Sequence, residues 1–181
     1  AIAAVGWDAA AACGGDCAVA STADNFTLTV GSTSTVIFFG GNMAGTTFVS
    51  ATYGTSSNFT AAVQDAEPPN GCARCALYYV ATSTTGGHSI TVTRNVSDVV
   101  ALVAASFNGS ATTADLVGVT STAACTACTA QQLAVTTTRA DSMLIDNFSF
   151  NSGIPSAEAV TGLGQVARIA HEPAAGLESR I

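Results

Sequence analysis

The chain has 181 residues, of which 9% are charged; it lacks lysine, and five arginines face twelve acids for a formal net charge of -7. Phosphate backbones and anionic membrane surfaces are gripped by clustered Lys and Arg, so five scattered arginines in an acidic chain argue against both partners. The length is ample for one core, and with aromatic residues at only 7% that core must be built from many small side chains.

Threonine (25) and serine (17) supply the polar positions, and β-branched threonine interleaved with apolar residues suits pleated strands. The Ala-rich start, Ala1 to Ala12, predicts a strand or short helix, with Trp7 as an anchor in a groove. Phe26, Leu28 and Val30 then alternate with Thr27 and Thr29, the pattern of a half-buried strand. Strands are predicted next over Thr35 to Phe39, Thr46 to Tyr53, Asn58 to Gln64 and Ala76 to Ala81. Ile90 and Val92 alternate with Thr91 and Thr93, and Leu133 and Val135 with Ala134 and Thr136. Leu116 to Thr120 and Ser142 to Phe150 complete the set.

Within the longest apolar run, Val99 to Phe107 interrupted by Ser106, the stretch Val99 to Ala105 is apolar on both faces, which predicts a central strand or one covered on its second side. It is too short to cross a bilayer as a helix, so no membrane span is expected. Gly40-Gly41-Asn42, Pro68-Pro69, Gly86-Gly87, Asn108-Gly109 and Asn151-Ser152-Gly153 read as breakers between strands. In the tail from Pro155 to Ile181, Val160 to Ala170 could add a strand, while Gly162, Gly164 and Pro173 oppose a long helix. About ten short strands at this spacing predict an all-β fold, an antiparallel β-sandwich or jelly roll.

Six cysteines fall in three local pairs, Cys13 with Cys17, Cys72 with Cys75, and Cys125 with Cys128. Short-range structural disulfides are the leading reading, with pairing between clusters and zinc or redox use as alternatives. Zinc knuckles usually lie closer than the roughly fifty residues between these pairs. A haem would need histidine after the second cysteine, where Ala18, Ala76 and Thr129 stand, and no amphipathic helix follows either C-x-x-C as a thioredoxin-like site requires. Disulfides place the chain in an oxidising, extracellular compartment, and Ala1 in place of Met fits removal of a signal peptide.

Five of eight asparagines, Asn25, Asn58, Asn95, Asn108 and Asn147, begin N-x-Ser/Thr sequons, against about two expected by chance in so Ser/Thr-rich a chain. Asn95 and Asn108 stand beside turn-like segments and are the favoured acceptors. No serine-hydrolase elbow, phosphate loop, H-E-x-x-H or EF-hand motif occurs, and no cofactor is implied. His88 and His171 read as surface or capping residues, and the neighbouring acids Asp65 with Glu67 and Asp141 with Asp146 as solvated loop residues, with paired-carboxylate glycosidase chemistry and calcium binding as alternatives. An enzyme is not expected.

The run from Asn25 to Gly109 has a Thr-rich strand, an apolar strand, a tyrosine-bearing strand at Leu77-Tyr78-Tyr79, and an apolar strand ending in Phe107-Asn108-Gly109. This plan resembles extracellular β-sandwich domains of microbial surface or filament-forming proteins. The resemblance implies a closing strand after the tail, where this chain reaches Ile181 without an obvious one. A sandwich short of one strand offers a groove of unpaired backbone groups that a neighbour's terminus can fill. Residues 1–24 are therefore expected to be an N-terminal extension and candidate donor strand, with Ile2, Val5 and Trp7 as subunit contacts, and residues 25–181 the sandwich. The expected function is a secreted subunit that polymerises with copies of itself. A monomeric glycan-binding module using Tyr53, Tyr78, Tyr79 or Trp7 is the alternative.

Overall fold

The computed structural model describes residues 5–14, 17, 19–33, 35–43, 48–64, 74–109, 143, 145, 148–150, 170–174 and 177–180. The strands are β1 (Gly6–Ala12), β2 (Ser21–Val30), β3 (Thr35–Met43), β4 (Phe48–Tyr53), β5 (Ser57–Asn58), β6 (Thr60–Gln64), β7 (Arg74–Thr82), β8 (Gly86–Asp98), β9 (Val100–Asn108), β10 (Phe148–Phe150), β11 (Ala170–Ala174) and β12 (Leu177–Arg180). Nine of them build a sandwich of two antiparallel sheets, β1-β9-β3-β7-β6 and β2-β8-β4-β5, and the last three form a small sheet in the order β10-β12-β11. The fold is all-β, as the alternation in the sequence predicts.

The core lies where the inward residues of the two sheets meet. Phe26, Leu28 and Val30 of β2, Ile90 and Val92 of β8, and Ala51 and Tyr53 of β4 come from one side. Ile37 and Phe39 of β3, Tyr78 and Val80 of β7, and Val100, Leu102 and Ala104 of β9 come from the other. Their intervening residues in the four-stranded sheet, Asn25, Thr27 and Thr29, are exposed. That is the alternation of a strand with one wet face.

The five-stranded sheet has no such wet face near its centre. Val36, Phe38, Leu77, Val103, Ala105 and Phe107 form a second buried cluster on its outer side, joined by Val5, Ala12 and Ile145. The small sheet lies against β9, β3 and β7. Covering on both faces explains why β9 reads as an apolar run broken only by Ser106 before Asn108, buried at every position from Val100 to Phe107.

Two expectations about breakers are corrected. Gly40 and Gly41 do not end a strand: Gly40 pairs with Leu77 and Val103, and Gly41 with Ala76 and Leu102, inside β3. Two flanking strands supply full ladders there, and these outweigh the local cost of glycine. Gly86-Gly87 likewise belongs to β8, which starts at Gly86 with φ 96°. Pro173 lies within β11, at a register shift on an edge strand, where proline's missing N–H removes no ladder bond. The domain boundary expected at residues 24/25 falls inside β2, and β1 belongs to the five-stranded sheet. The strands expected over residues 116–120, 133–136 and 160–169 lie outside the described residues.

Candidate subunit interface

The segment expected to serve a neighbour as a donor strand is, in this structure, an edge strand of its own sheet. β1 pairs antiparallel with β9, from Gly6 opposite Asn108 to Ala12 opposite Val103, with a bulge between Trp7 and Ala9. Alanines at Ala9 to Ala12 let this edge lie close on β9, and all are half-buried. The bulge sets Asp8 where its Oδ2 accepts hydrogen bonds from the Ser106 hydroxyl at 2.8 Å and the Gly31 backbone N–H at 3.1 Å. A side chain at Gly31 would come within 2.9 Å of Asp8 Oδ1, so glycine is what permits this approach. Asp8 thus ties β1 to both β9 and the turn after β2. It went unrecognised in the sequence, where the only signal is a lone acid within an alanine-rich apolar stretch.

Beyond β1 the chain stays on β9. The Cys13 N–H donates to the Leu102 carbonyl at 3.0 Å, and the Val100 N–H donates to the Cys17 carbonyl at 3.3 Å. Cys13 and Cys17 are joined by a disulfide and both are buried in the main core. This local bridge is the first of the three expected pairs, and it fits an oxidising compartment. Cys72, Cys125 and Cys128 lie outside the described residues, as does the side chain of Cys75.

Of the three expected contact residues, Val5 packs half-buried on the outer cluster and Ile2 lies outside the described residues. Trp7 is 37% exposed and meets Phe107 edge to face, ring centroids 5.6 Å apart. Phe107 meets Phe38 in turn at 6.1 Å, and Phe38 meets Tyr79 at 6.4 Å. An aromatic row therefore crosses β1, β9, β3 and β7 on the outer side. Such edge-to-face pairs favour one arrangement beyond the area they bury.

The aromatic platforms of the adhesive reading are placed differently. Tyr53 is 2% exposed and donates its hydroxyl to the Gly86 carbonyl at 3.3 Å, and Tyr78 is buried against Phe39. Burial pushes the pKa of both hydroxyls up, with the Asp8 carboxylate adding to the effect at Tyr53. Tyr79 is half-buried. His88 stacks edge to face on Tyr53 at 5.4 Å and its Nε2 reaches the Thr85 carbonyl at 3.1 Å. The two rings, with Gly54, Ser57 and Thr84, line a small pocket of about 110 Å³. Its lining offers hydroxyls and one imidazole but no carboxylate to orient that imidazole as a base.

Among the described residues no three His, Cys, Asp or Glu side chains converge as metal ligands, and no helix is long and apolar enough to cross a membrane. His171 lies in β11 opposite Ser179. The acid pairs Asp65 with Glu67 and Asp141 with Asp146 fall outside the described residues. Asn25, Asn58 and Asn95 are exposed, Asn108 is half-buried, and Asn147 is not among the described residues. The chain matches no protein-family model, and neither curated proteins nor solved structures give a significant match.

Proposed function

We propose that the chain is an exported structural subunit that joins copies of itself by exchanging β1, each subunit's N-terminal strand completing the five-stranded sheet of the next. The observation that carries this reading is the pairing of a thin, alanine-rich edge strand with β9, a strand buried on both faces. Removing β1 bares a full ladder of β9 backbone groups, which must be satisfied by some strand. The same contacts, the Asp8 clamp and the Trp7–Phe107 pair included, form equally well within one chain or between two. Exchange of an identical element is a low-cost route to association, and a head-to-tail exchange that does not close on itself yields a filament. The link between β1 and β2, residues 13–20, is short and fastened by the Cys13–Cys17 bridge. A low-charge surface of Thr, Ala and Gly adds little desolvation cost at the contact.

Ala10 and Ala105 stand directly opposite each other across β1 and β9. In A10C/A105C protein assembled at high concentration and then oxidised, exchange yields a ladder of covalent oligomers on a non-reducing gel. Bridging confined to monomers, with light scattering showing a single monomeric species, overturns the reading. Negative-stain microscopy of native material then separates filaments from closed rings.

A further inference from the structure

We infer that the outer face of the four-stranded sheet is a glycan-bearing surface, with Asn25, Asn58 and Asn95 as the acceptors and Asn108 excluded. In a strand, residues i and i+2 share a face, so a sequon can present its asparagine and its hydroxyl residue together while burying the residue between. One sequon is set this way within β2, and a second presents the same pair of residues across the step from β5 to β6. Asn25 and Thr27 are exposed on β2 with Phe26 buried in the core between them. Asn58 and Thr60 are exposed, while Phe59 packs on Phe39 edge to face at 5.7 Å. In the third, Asn95 and Ser97 are both exposed, one residue past the inward Arg94 on β8.

The register brings the first two sequons onto one row across the sheet. Asn25 lies opposite Thr91, Thr91 opposite Thr52, and Thr52 opposite Asn58. Three strand spacings separate Asn25 from Asn58, about 14 Å. Asn95 stands four residues along β8 from Thr91, about 13 Å away. The positions around them, Thr27, Thr29, Ser50, Thr52, Thr91 and Thr93, are uncharged. In a chain with so little charge, sugars on this face would supply the hydration that keeps it from pairing with other surfaces. They would also leave the opposite sheet and the β1 edge uncovered.

Asn108 has the motif without the geometry. It is half-buried, its Nδ2 donates to Ser32 Oγ at 3.4 Å, and its Oδ1 lies 2.5 Å from where a side chain at Gly6 would begin. The nitrogen that would carry the sugar is thus turned into the seam between β1 and the turn before β3. In the transfer itself, the asparagine Nδ2 bonds to the anomeric carbon of an oligosaccharide carried on a lipid phosphate. The bond from that carbon to the phosphate oxygen breaks, the lipid phosphate leaves with the electron pair, and one amide proton passes to base. The co-reactant is therefore a lipid-phosphate-linked glycan of the export pathway.

Peptide mapping by mass spectrometry of protein isolated from its native source tests this, independently of its assembly state. Glycan mass on at least two of Asn25, Asn58 and Asn95, with Asn108 unmodified, is the expected result, and N25Q/N58Q/N95Q protein should lose that mass. Bare asparagines at two or more of these positions, or a glycan on Asn108, overturns the assignment.

Discussion

Arg94 and Asp24 form an ion pair sealed inside the sandwich: Arg94 Nη2 and Nε reach Asp24 Oδ2 at 2.6 and 3.0 Å, and neither side chain is accessible to solvent. Among the described residues Arg94 Nη1 has no hydrogen-bond partner, so the guanidinium is incompletely repaid for its desolvation. Breaking such a pair from one side strands the other charge. Arg94→Met alone should cost about 3–5 kcal/mol, whereas D24L/R94M should recover most of that loss or exceed the original stability. Urea unfolding of the two variants against the parent, compared at constant m-value, measures the difference. Equal losses in the single and double variants would mean that packing rather than charge governs the site.

The two faces of β9 and the wet face of β2 differ in what a truncation should cost. Leu102 is fully buried in the core, and Leu102→Ala should destabilise the fold by about 2–5 kcal/mol through lost burial and the cavity left behind. Thr27, exposed on β2, should tolerate Thr27→Ala within about 1 kcal/mol. Thermal unfolding of both variants checks the ranking.

That ranking was legible in the sequence, because period-two alternation names the inward and outward residues of β2 and β8 directly and the apolar stretch from Val99 to Ala105 marks β9 as covered. The same alternation carries the ion pair: Asp24 has the parity of Phe26, Leu28 and Val30, and Arg94 that of Ile90 and Val92. A charged residue is ordinarily taken for a solvated one, so its inward parity is easily passed over. Gly40 and Gly41 misled because their strand character comes from β7 and β9 on either side, which no local window contains. The doubly apolar Val99 to Ala105 predicted a central or covered strand, but the covering elements β10 to β12 are short and distant in sequence, with too few residues to show a period. For the candidate interface, Trp7 and Val5 were legible as apolar anchors. The pairing of β1 with β9 and its Asp8 contacts were not, because they need Gly31 and Ser106, far along the chain, to be brought together by the fold.

The Cys13–Cys17 bridge closes a very short loop, so its stabilisation is small on the loop-entropy view. C13A/C17A should lower stability by about 2 kcal/mol. The effect should also be local, because the loop's two hydrogen bonds hold it to Leu102 and Val100. Amide hydrogen exchange should quicken at Val100 and along β1 while the amides of β3 and β7 keep their protection. Uniform loss of protection across both sheets would show that the bridge supports the whole sandwich instead.

Tyr53 gives the fold a sensitivity to alkali. Burial raises its folded pKa above the ordinary 10.0, and the nearby Asp8 carboxylate raises it further. In the unfolded chain the hydroxyl ionises near the ordinary value, while the folded chain holds its proton to higher pH. Stability from this source is therefore fully present below about pH 10 and declines as pH rises through the folded value. Tyr78, raised by burial alone, acts in the same direction. Tyr53→Phe removes the ionisable group together with the hydrogen bond to Gly86, so it should cost about 1 kcal/mol at neutral pH. It should also flatten the fall in melting temperature between about pH 8 and about pH 11 relative to the parent. A parallel decline in both proteins would place the alkaline sensitivity elsewhere in the chain.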